Sequence, residues 1–159
     1  MKIDKLWNGL RRIANGDYVL EGDLISEETI EIDLDDRFVV KGRIRAKKSI
    51  VVRCGIKAGE GIEAGWGIKA GEGIEAGCGI KAGEGIKAGE GIEAGCGIKA
   101  GEGIEAKTFI NVSKRIFAGI SLYRTSKDCN KTIRCAELRS GEICYGDLTL
   151  TKEAQNNED

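Results

Sequence analysis

Isoleucine recurs at every sixth position through the middle of the chain. The positions are Ile56, Ile62, Ile68, Ile74, Ile80, Ile86, Ile92, Ile98 and Ile104. Alanine stands two places after each isoleucine, and up to Gly103 glycine takes the fourth and sixth places, so the hexad reads Ile-x-Ala-Gly-x-Gly. Residues two apart share one face of a strand, and Gly-x-Gly gives the backbone freedom for a tight bend. Each hexad therefore predicts a short strand and a corner, and three hexads predict a triangular coil of ~18 residues.

The hexad phase continues on both sides of these repeats. The isoleucine place is held by Ile50, Ile44, Phe38 and Ile32 before them, and by Ile110, Ile116 and Leu122 after them. The alanine place is held by Val52, Ala46, Val40 and Leu34, and later by Val112 and Ala118, until Arg124 breaks the pattern. This continuity predicts an all-β, single-stranded parallel β-helix with one inward face from Ile32 to about Leu122. A disordered glycine-rich linker over residues 55–103 is the alternative, but a linker has no physical reason to keep a phase.

The two ends of such a coil need protection, because they present unpaired strand edges. Residues 1–18 predict an amphipathic capping helix, with a membrane or partner helix as the alternative. The apolar positions at helical spacing are Ile3, Leu6, Trp7, Leu10 and Ile13. The solenoid is expected over 19–127, and a C-terminal β cap over 128–151, where apolar and polar residues alternate. Residues 152–159 are polar and are expected to form a flexible tail.

An 18-residue coil stacks the outward residues in columns. The second hexad places give Lys57, Glu75 and Glu93; Glu63, Lys81 and Lys99; and Lys69, Lys87 and Glu105. The fifth places, at the corners, give Cys54, Glu72 and Glu90; Glu60, Cys78 and Cys96; and Trp66, Glu84 and Glu102. Trp66 replaces the usual glutamate, which indicates either an interface anchor or a ring that covers the glycine backbone of adjacent coils. Cys78 and Cys96 share a column, and two packed thiols are favoured there over a disulfide.

Charge and hydropathy exclude several classes of protein. The net charge is −1, with 25 basic and 26 acidic residues, which does not favour direct nucleic-acid binding. No apolar run reaches the ~18 residues of a membrane span, and the N-terminus lacks the apolar stretch of a signal peptide. These features predict a cytoplasmic protein. They also underlie the expectation that the cysteines are reduced.

One local charge bias stands out near the N-terminus. Eight acidic and no basic residues lie between Glu21 and Asp36, and a basic run begins at Arg37. Asp33, Asp35 and Asp36 therefore suggest an acidic patch that engages a basic partner surface, one that normally holds nucleic acid. A solvated first coil is the alternative.

Catalytic chemistry finds little support, since the chain contains no histidine. The hexads resemble the hexapeptide acyltransferases and the solenoid carbonic anhydrases, which implies a catalytic histidine and histidine zinc ligands that are lacking here. The hexad order also departs from theirs, so we expect a right-handed coil, as is usual for parallel β crossovers. We predict no catalytic residues, no cofactor and no metal, and a protein that is not an enzyme.

Two further resemblances bear on function. The stretch "YVLEGDLISEETIEIDLDDRFVVKGRIRAKKSIVV" is similar to the coils of bactofilins, the polymer-forming bacterial β-helices. The segments "GIEAGWGIKAG", "RIFAGISLYR" and "IRCAELRSGEICYGDL" resemble small solenoid proteins of phages and prophages of Gram-positive bacteria. That second resemblance implies a non-enzymatic inhibitor of a bacterial defence system, with CRISPR effectors among the candidate targets, that occupies a surface of a host protein. The corner columns and the acidic run suggest the residues that contact the partner, namely Trp66, Glu84, Glu102, Asp33, Asp35 and Asp36. A structural β-helix that polymerises or belongs to a virion is the alternative, and homo-oligomerisation is left open.

Overall fold

The protein folds as a stack of short strands and contains no helix among the residues that its structure describes. The computed structural model describes residues 1–121 and 129–151. They form 21 strands, namely β1 (Lys2–Ile3), β2 (Arg11–Arg12), β3 (Tyr18–Leu20), β4 (Leu24–Ser26), β5 (Ile30–Ile32), β6 (Phe38–Val40), β7 (Ile44–Ala46), β8 (Ile50–Val52), β9 (Ile56–Ala58), β10 (Ile62–Ala64), β11 (Ile68–Ala70), β12 (Ile74–Ala76), β13 (Ile80–Ala82), β14 (Ile86–Ala88), β15 (Ile92–Ala94), β16 (Ile98–Ala100), β17 (Ile104–Ala106), β18 (Phe109–Phe117), β19 (Thr132–Cys135), β20 (Glu137–Tyr145) and β21 (Asp147–Leu150).

The strands build three faces of a parallel β-solenoid of about 7 turns. One face is an 8-stranded sheet in the order β1-β5-β8-β11-β14-β17-β19-β21. The other two faces join into a 13-stranded sheet because β18 runs round a corner: its first part pairs with β15 and its last part pairs with β16. The prediction of an all-β, triangular parallel coil is therefore confirmed.

The register confirms the 18-residue period across the hexads. Ile80 pairs with Ile62 on one side and with Ile98 on the other. Backbone hydrogen bonds join successive coils at the corners as well as along the strands; for example, the Ile62 N–H donates to the Gly79 carbonyl at 3.0 Å. The stacking spreads these bonds over the whole rod, so its stability grows with each added coil.

The core consists of inward columns of isoleucine and alanine. Every isoleucine and alanine of the hexads from Ile56 to Ala106 is at most 4% exposed. No polar or charged residue is buried in the described part of the chain. The interior is therefore filled by side chains, and any binding surface has to lie outside it.

On the N-terminal side of Phe38 the predicted hexad positions are wrong, because the first coil is longer than 18 residues. Phe38 pairs with Tyr18, and Ile50 pairs with Ile30, so these partners are 20 residues apart rather than 18. The strand β5 therefore turns Ile30 and Ile32 inward, instead of Ile32 and Leu34. The two extra residues lie in the corner after β5, where Leu34 is still buried.

On the C-terminal side of β17 the hexad positions are as predicted up to Ile116 and Ala118, which are both fully buried. The next place in the column above Ile104 is taken by Ile133, on β19. An insertion thus separates β18 from β19. The predicted positions of Leu122 and Arg124, and the tail over 152–159, lie outside the described residues.

The glycines of the hexads serve close packing rather than unusual backbone angles. Every described residue with positive φ lies outside the hexads. The tight bend expected at Gly-x-Gly is therefore made without the left-handed backbone angles that glycine alone adopts easily. A Cβ atom at Gly89, in the fourth place, would lie 1.9 Å from the carbonyl oxygen of Gly71 in the coil below. A Cβ atom at Gly73, in the sixth place, would lie 3.5 Å from the carbonyl oxygen of Gly91, an ordinary contact. The fourth-place glycine is required because the coils approach closely there.

The predicted N-terminal helix is wrong. β1 adds to β5 in parallel, and β2 pairs antiparallel with β3. Ile3 is fully buried, whereas Leu6 is 92% exposed, so one helical face is not formed. Gly9 and Gly16 both take positive φ, which ends any helical turn there. Pairing with the open edge of the first coil satisfies backbone groups that a helix would leave free.

The described part of the expected C-terminal β cap, 129–151, continues the solenoid with parallel strands. β19 stacks on β17, β20 on β18, and β21 on β19. Ile133 and Cys135 are fully buried, but Leu148 and Leu150 on β21 are 41% and 56% exposed. Among the described residues the core is therefore left open at this end.

Candidate functional site

The corner that carries Trp66 is a straight column of backbone. The Trp66 N–H donates to the Lys48 carbonyl at 3.1 Å, the Glu84 N–H to the Trp66 carbonyl at 3.2 Å, and the Glu102 N–H to the Glu84 carbonyl at 3.3 Å. Trp66, Glu84 and Glu102 therefore stack in one column, as the 18-residue period predicts. We call this set the Trp66 column. It is a fixed display of one indole and two carboxylates.

Trp66 itself is half-buried by its own corner. Its exposed fraction is 50%, so a large part of the side chain is available to solvent. The two interpretations of this residue, an interface anchor and a ring that covers the adjacent backbone, both stay predictions. A large, rigid side chain costs little entropy when it is fixed at an interface.

A depression of about 410 Å³ lies beside the Trp66 column on the 8-stranded face. Its lining includes Glu84 and Glu102 from the column, and basic residues of the strands and of β19. Those basic residues are Lys69, Lys87 and Arg134. The wall therefore carries both signs of charge beside an aromatic residue.

The outward charge columns are confirmed in register. The close contacts are Lys57 with Glu75 at 2.6 Å, Lys81 with Glu63 at 2.9 Å, and Lys87 with Glu105 at 3.1 Å. All these side chains are solvent-accessible, so each pair contributes only ~0–1 kcal/mol. They reduce repulsion between coils and give the faces a mixed charge.

The acidic run near the N-terminus is paired within the chain. Lys5 donates to Asp35 at 2.6 Å, Arg12 to Asp36 at 2.6 Å, and Arg53 to Asp33 at 3.3 Å. The 20-residue coil also sets the basic run directly above the acidic run. The pairs formed in this way include Arg43 with Asp23, Lys47 with Glu27, and Lys48 with Glu28. This surface therefore carries mixed charge, and its role in binding a basic partner stays a prediction.

Asp35 anchors the N-terminal segment to the first coil. Its carboxylate accepts hydrogen bonds from Lys5 and from the Tyr18 hydroxyl at 2.9 Å. These two hydrogen bonds, that of Lys5 first, lower the pKa of Asp35 from 3.8 to about 2. Since the folded state favours the charged form, the contribution of Asp35 to stability is complete above pH ~4 and is lost as the pH falls towards 2.

We therefore predict a pH-dependent difference between the wild type and Asp35→Asn. The variant should be less stable at pH 5–7, and the difference should shrink as the pH falls from about 4 towards 2 and below, because the wild-type carboxyl becomes protonated over this range. Urea titrations followed by the fluorescence of Trp7, which packs against the core, in a Trp66→Phe background measure it. A difference that persists unchanged at pH 2 would contradict the role of the ionised carboxylate.

Two of the six cysteines, Cys54 and Cys135, are buried, the other four are partly or fully exposed, and the described structure contains no disulfide. The Cys96 N–H donates to the Cys78 carbonyl at 2.9 Å, which confirms that these two residues share a corner column. Cys54, predicted at an outward corner, is instead buried, and this burial raises the pKa of its thiol to about 11. Cys54 therefore packs as an apolar residue.

One aromatic cluster escaped the sequence interpretation. The ring of Phe109 covers Gly91, where a Cβ atom would lie 2.5 Å from it. The guanidinium of Arg139 lies over the same ring, 3.6 Å from its centroid. Phe109 stands in the sixth place of its hexad, where the other hexads carry glycine. Like Trp66, it is an aromatic residue that replaces the usual residue of the repeat, so the sequence could have indicated it.

The fold is thus a three-faced parallel β-solenoid that carries one half-exposed tryptophan on a column of charged corners. No protein-family model, curated protein or solved structure matches the chain. Across 1–121 and 129–151 there is no helix long and apolar enough to cross a membrane.

Proposed function

We propose that this chain is a non-enzymatic protein-binding module that uses the Trp66 column to occupy the surface of a partner. The observation that supports this most directly is the 50% exposure of Trp66 at a corner that the backbone ladder holds in place. Interfaces concentrate their energy in a few aromatic or arginine anchors with charged residues around them. Glu84 and Glu102 supply the polar surroundings.

The partner that we propose is a host protein, and more narrowly a defence effector that normally binds nucleic acid, such as a CRISPR effector. This narrower proposal rests on the resemblance of the hexads to phage and prophage solenoids. It places the protein in the cytoplasm of a bacterial host. Asp33, Asp35 and Asp36 would aid the approach to a basic surface, although their internal ion pairs leave less charge for this purpose.

The test begins with capture of the partner from host lysate and its identification by mass spectrometry, followed by kinetics on the purified partner. Trp66→Glu restores the usual hexad residue, so the melting temperature should hardly change. Its affinity for the partner should fall at least about tenfold, since anchors of this kind contribute ~2 kcal/mol or more.

Glu90→Gln is a matched control, because it alters another exposed corner of the same repeats. Its affinity should equal that of the wild type. If Trp66→Glu folds normally and binds as tightly as the wild type, Trp66 only covers its own corner and the interface lies elsewhere. A fall of the wild-type on-rate at high salt would support steering by the aspartates.

The alternative function is a structural β-helix that assembles with itself, as in a bactofilin-like polymer or a virion component. The parallel stacking of strands in this protein is compatible with such an assembly. A polymer would give high-mass species of the purified protein alone that grow with concentration. A surface-occupying inhibitor would change in mass mainly when its target is added.

A further inference from the structure

The core columns of the solenoid end without a cover at the C-terminal coil. Leu148 stacks on Ile133, and Leu150 stacks on Cys135, so both leucines occupy inward places. The residues beneath them in these columns are fully buried, whereas Leu148 and Leu150 are 41% and 56% exposed. This is apolar core that faces outward only because no further coil follows in the described chain.

At the opposite end of the rod the core is covered. Ile3 is fully buried and Tyr18 is 5% exposed, because β1 and the antiparallel β2 complete the first coil. Trp7 and Leu10 also pack against the core there. The two ends are therefore unlike: at one the N-terminal segment covers the core, although β4 keeps an unpaired outer edge, and the other offers the outer edges of β20 and β21 together with exposed leucines.

The sequence that follows β21 offers little apolar surface to this end. Its sequence over 152–159 is KEAQNNED, in which Ala154 is the one apolar residue. A coil edge is matched best by another coil edge, since both present backbone groups at the spacing of strands. We propose that the C-terminal coil docks against the C-terminal coil of a second copy of this chain, about a two-fold axis, to form a closed dimer.

The geometry of β21 suits this arrangement. A two-fold axis across the rod reverses strand direction, so β21 meets β21 of the second copy as an antiparallel pair. When Thr149 of one chain lies opposite Thr149 of the second copy, Leu148 lies opposite Leu150 of the second copy. The exposed inward leucines of both chains are then buried against one another, and the outward residues stay outward.

The charges of β20 are self-complementary under the same axis. Gly141, with φ 118°, marks the corner of β20 opposite the β21 face. An axis through this corner sets Leu138 opposite Ile143 of the second copy, and Arg139 opposite Glu142 of the second copy. Apolar residues thus meet apolar residues, and each arginine meets a carboxylate. A two-fold axis uses the same surface on both chains, so the assembly stops at two chains.

Light scattering after gel filtration, over a range of concentrations, tests the proposal on the full chain. The wild type should show twice the 17.1 kDa mass of one chain. Leu150→Lys should return the mass to that of one chain and leave the circular dichroism spectrum unchanged, because Leu150 is already exposed within one chain. A wild type that stays a monomer at the highest concentration, a dimer that survives Leu150→Lys, or a mass that grows beyond two chains would each overturn it.

A crosslink tests the register independently. In an antiparallel pair, opposite Cα atoms lie about 4.5–5.5 Å apart, within the ~4.4–6.8 Å range of a disulfide. In a background with Cys78→Ser and Cys144→Ser, Thr149→Cys should form a covalent dimer under mild oxidation. Lys69→Cys, an outward residue in the middle of the same face, should not. Equal crosslinking of the two variants would overturn the arrangement. Neither experiment uses the partner of the Trp66 column, so the dimer and the proposed function stand or fall separately.

Discussion

Gly89→Ala is expected to destabilise the protein by about 1–3 kcal/mol or more, a large effect for one methyl group. The added Cβ atom would lie 1.9 Å from the carbonyl oxygen of Gly71. That oxygen belongs to the backbone of the neighbouring coil, so it cannot move aside as a side chain would. Relief requires the two coils to separate locally, which weakens the hydrogen bonds between them. Urea denaturation followed by circular dichroism measures the change.

Gly73→Ala provides the matched control, because it adds the same methyl group to the same kind of hexad. Its Cβ atom would meet the carbonyl oxygen of Gly91 at 3.5 Å, an ordinary contact. The substitution also reduces the entropy of the unfolded chain, so a small stabilisation of about 0.4–1 kcal/mol is expected. Equal effects of the two substitutions would show that close approach does not select the fourth-place glycine.

Ile80→Asp should have a larger effect still, and we expect a loss of at least about 3 kcal/mol. Ile80 is 1% exposed and stacks between Ile62 and Ile98. The substitution removes a buried aliphatic side chain, which alone costs about 2–5 kcal/mol. It also places a carboxyl group without a partner among apolar neighbours. Thermal melts should show a large fall or a chain that no longer folds.

Two controls separate burial from mere change of sequence. Ile80→Val should cost about 0.5–1.5 kcal/mol, since it removes one methylene from the same column. Glu84→Gln alters an exposed corner and should leave the melting temperature close to that of the wild type. If Ile80→Asp melted together with Glu84→Gln, the assignment of inward and outward places would be wrong.

The middle of the rod was predictable because one physical rule governs all of it. Ile56, Ile74 and Ile92 share one face, and identical spacing leaves a single register in which every column remains apolar. The charge columns and the Trp66 column follow from that register without further assumptions. The sense of the coil stays a prediction, based on the usual hand of parallel crossovers.

The ends were not predictable in the same way, because tertiary pairing overrides local spacing there. Ile3, Leu6 and Leu10 have helical spacing, but the open edge of the first coil binds the segment as strands. The two extra residues after β5 keep apolar residues near the expected places, so the sequence alone does not reveal the shift from 18 to 20. That shift also pairs the acidic run with the basic run, a contact that depends on three-dimensional stacking.

The uniform register of the hexads has a consequence for how the length of this protein can change. Removal of 18 residues, such as 68–85, takes out one complete coil and shortens the rod by about 4.8 Å. The two ends then keep their relative azimuth, so surfaces at the N-terminal and C-terminal coils still point the same way. Removal of a single hexad would instead rotate one end by a third of a turn relative to the other. The number of hexads therefore sets both the length of the rod and the angle between its two ends.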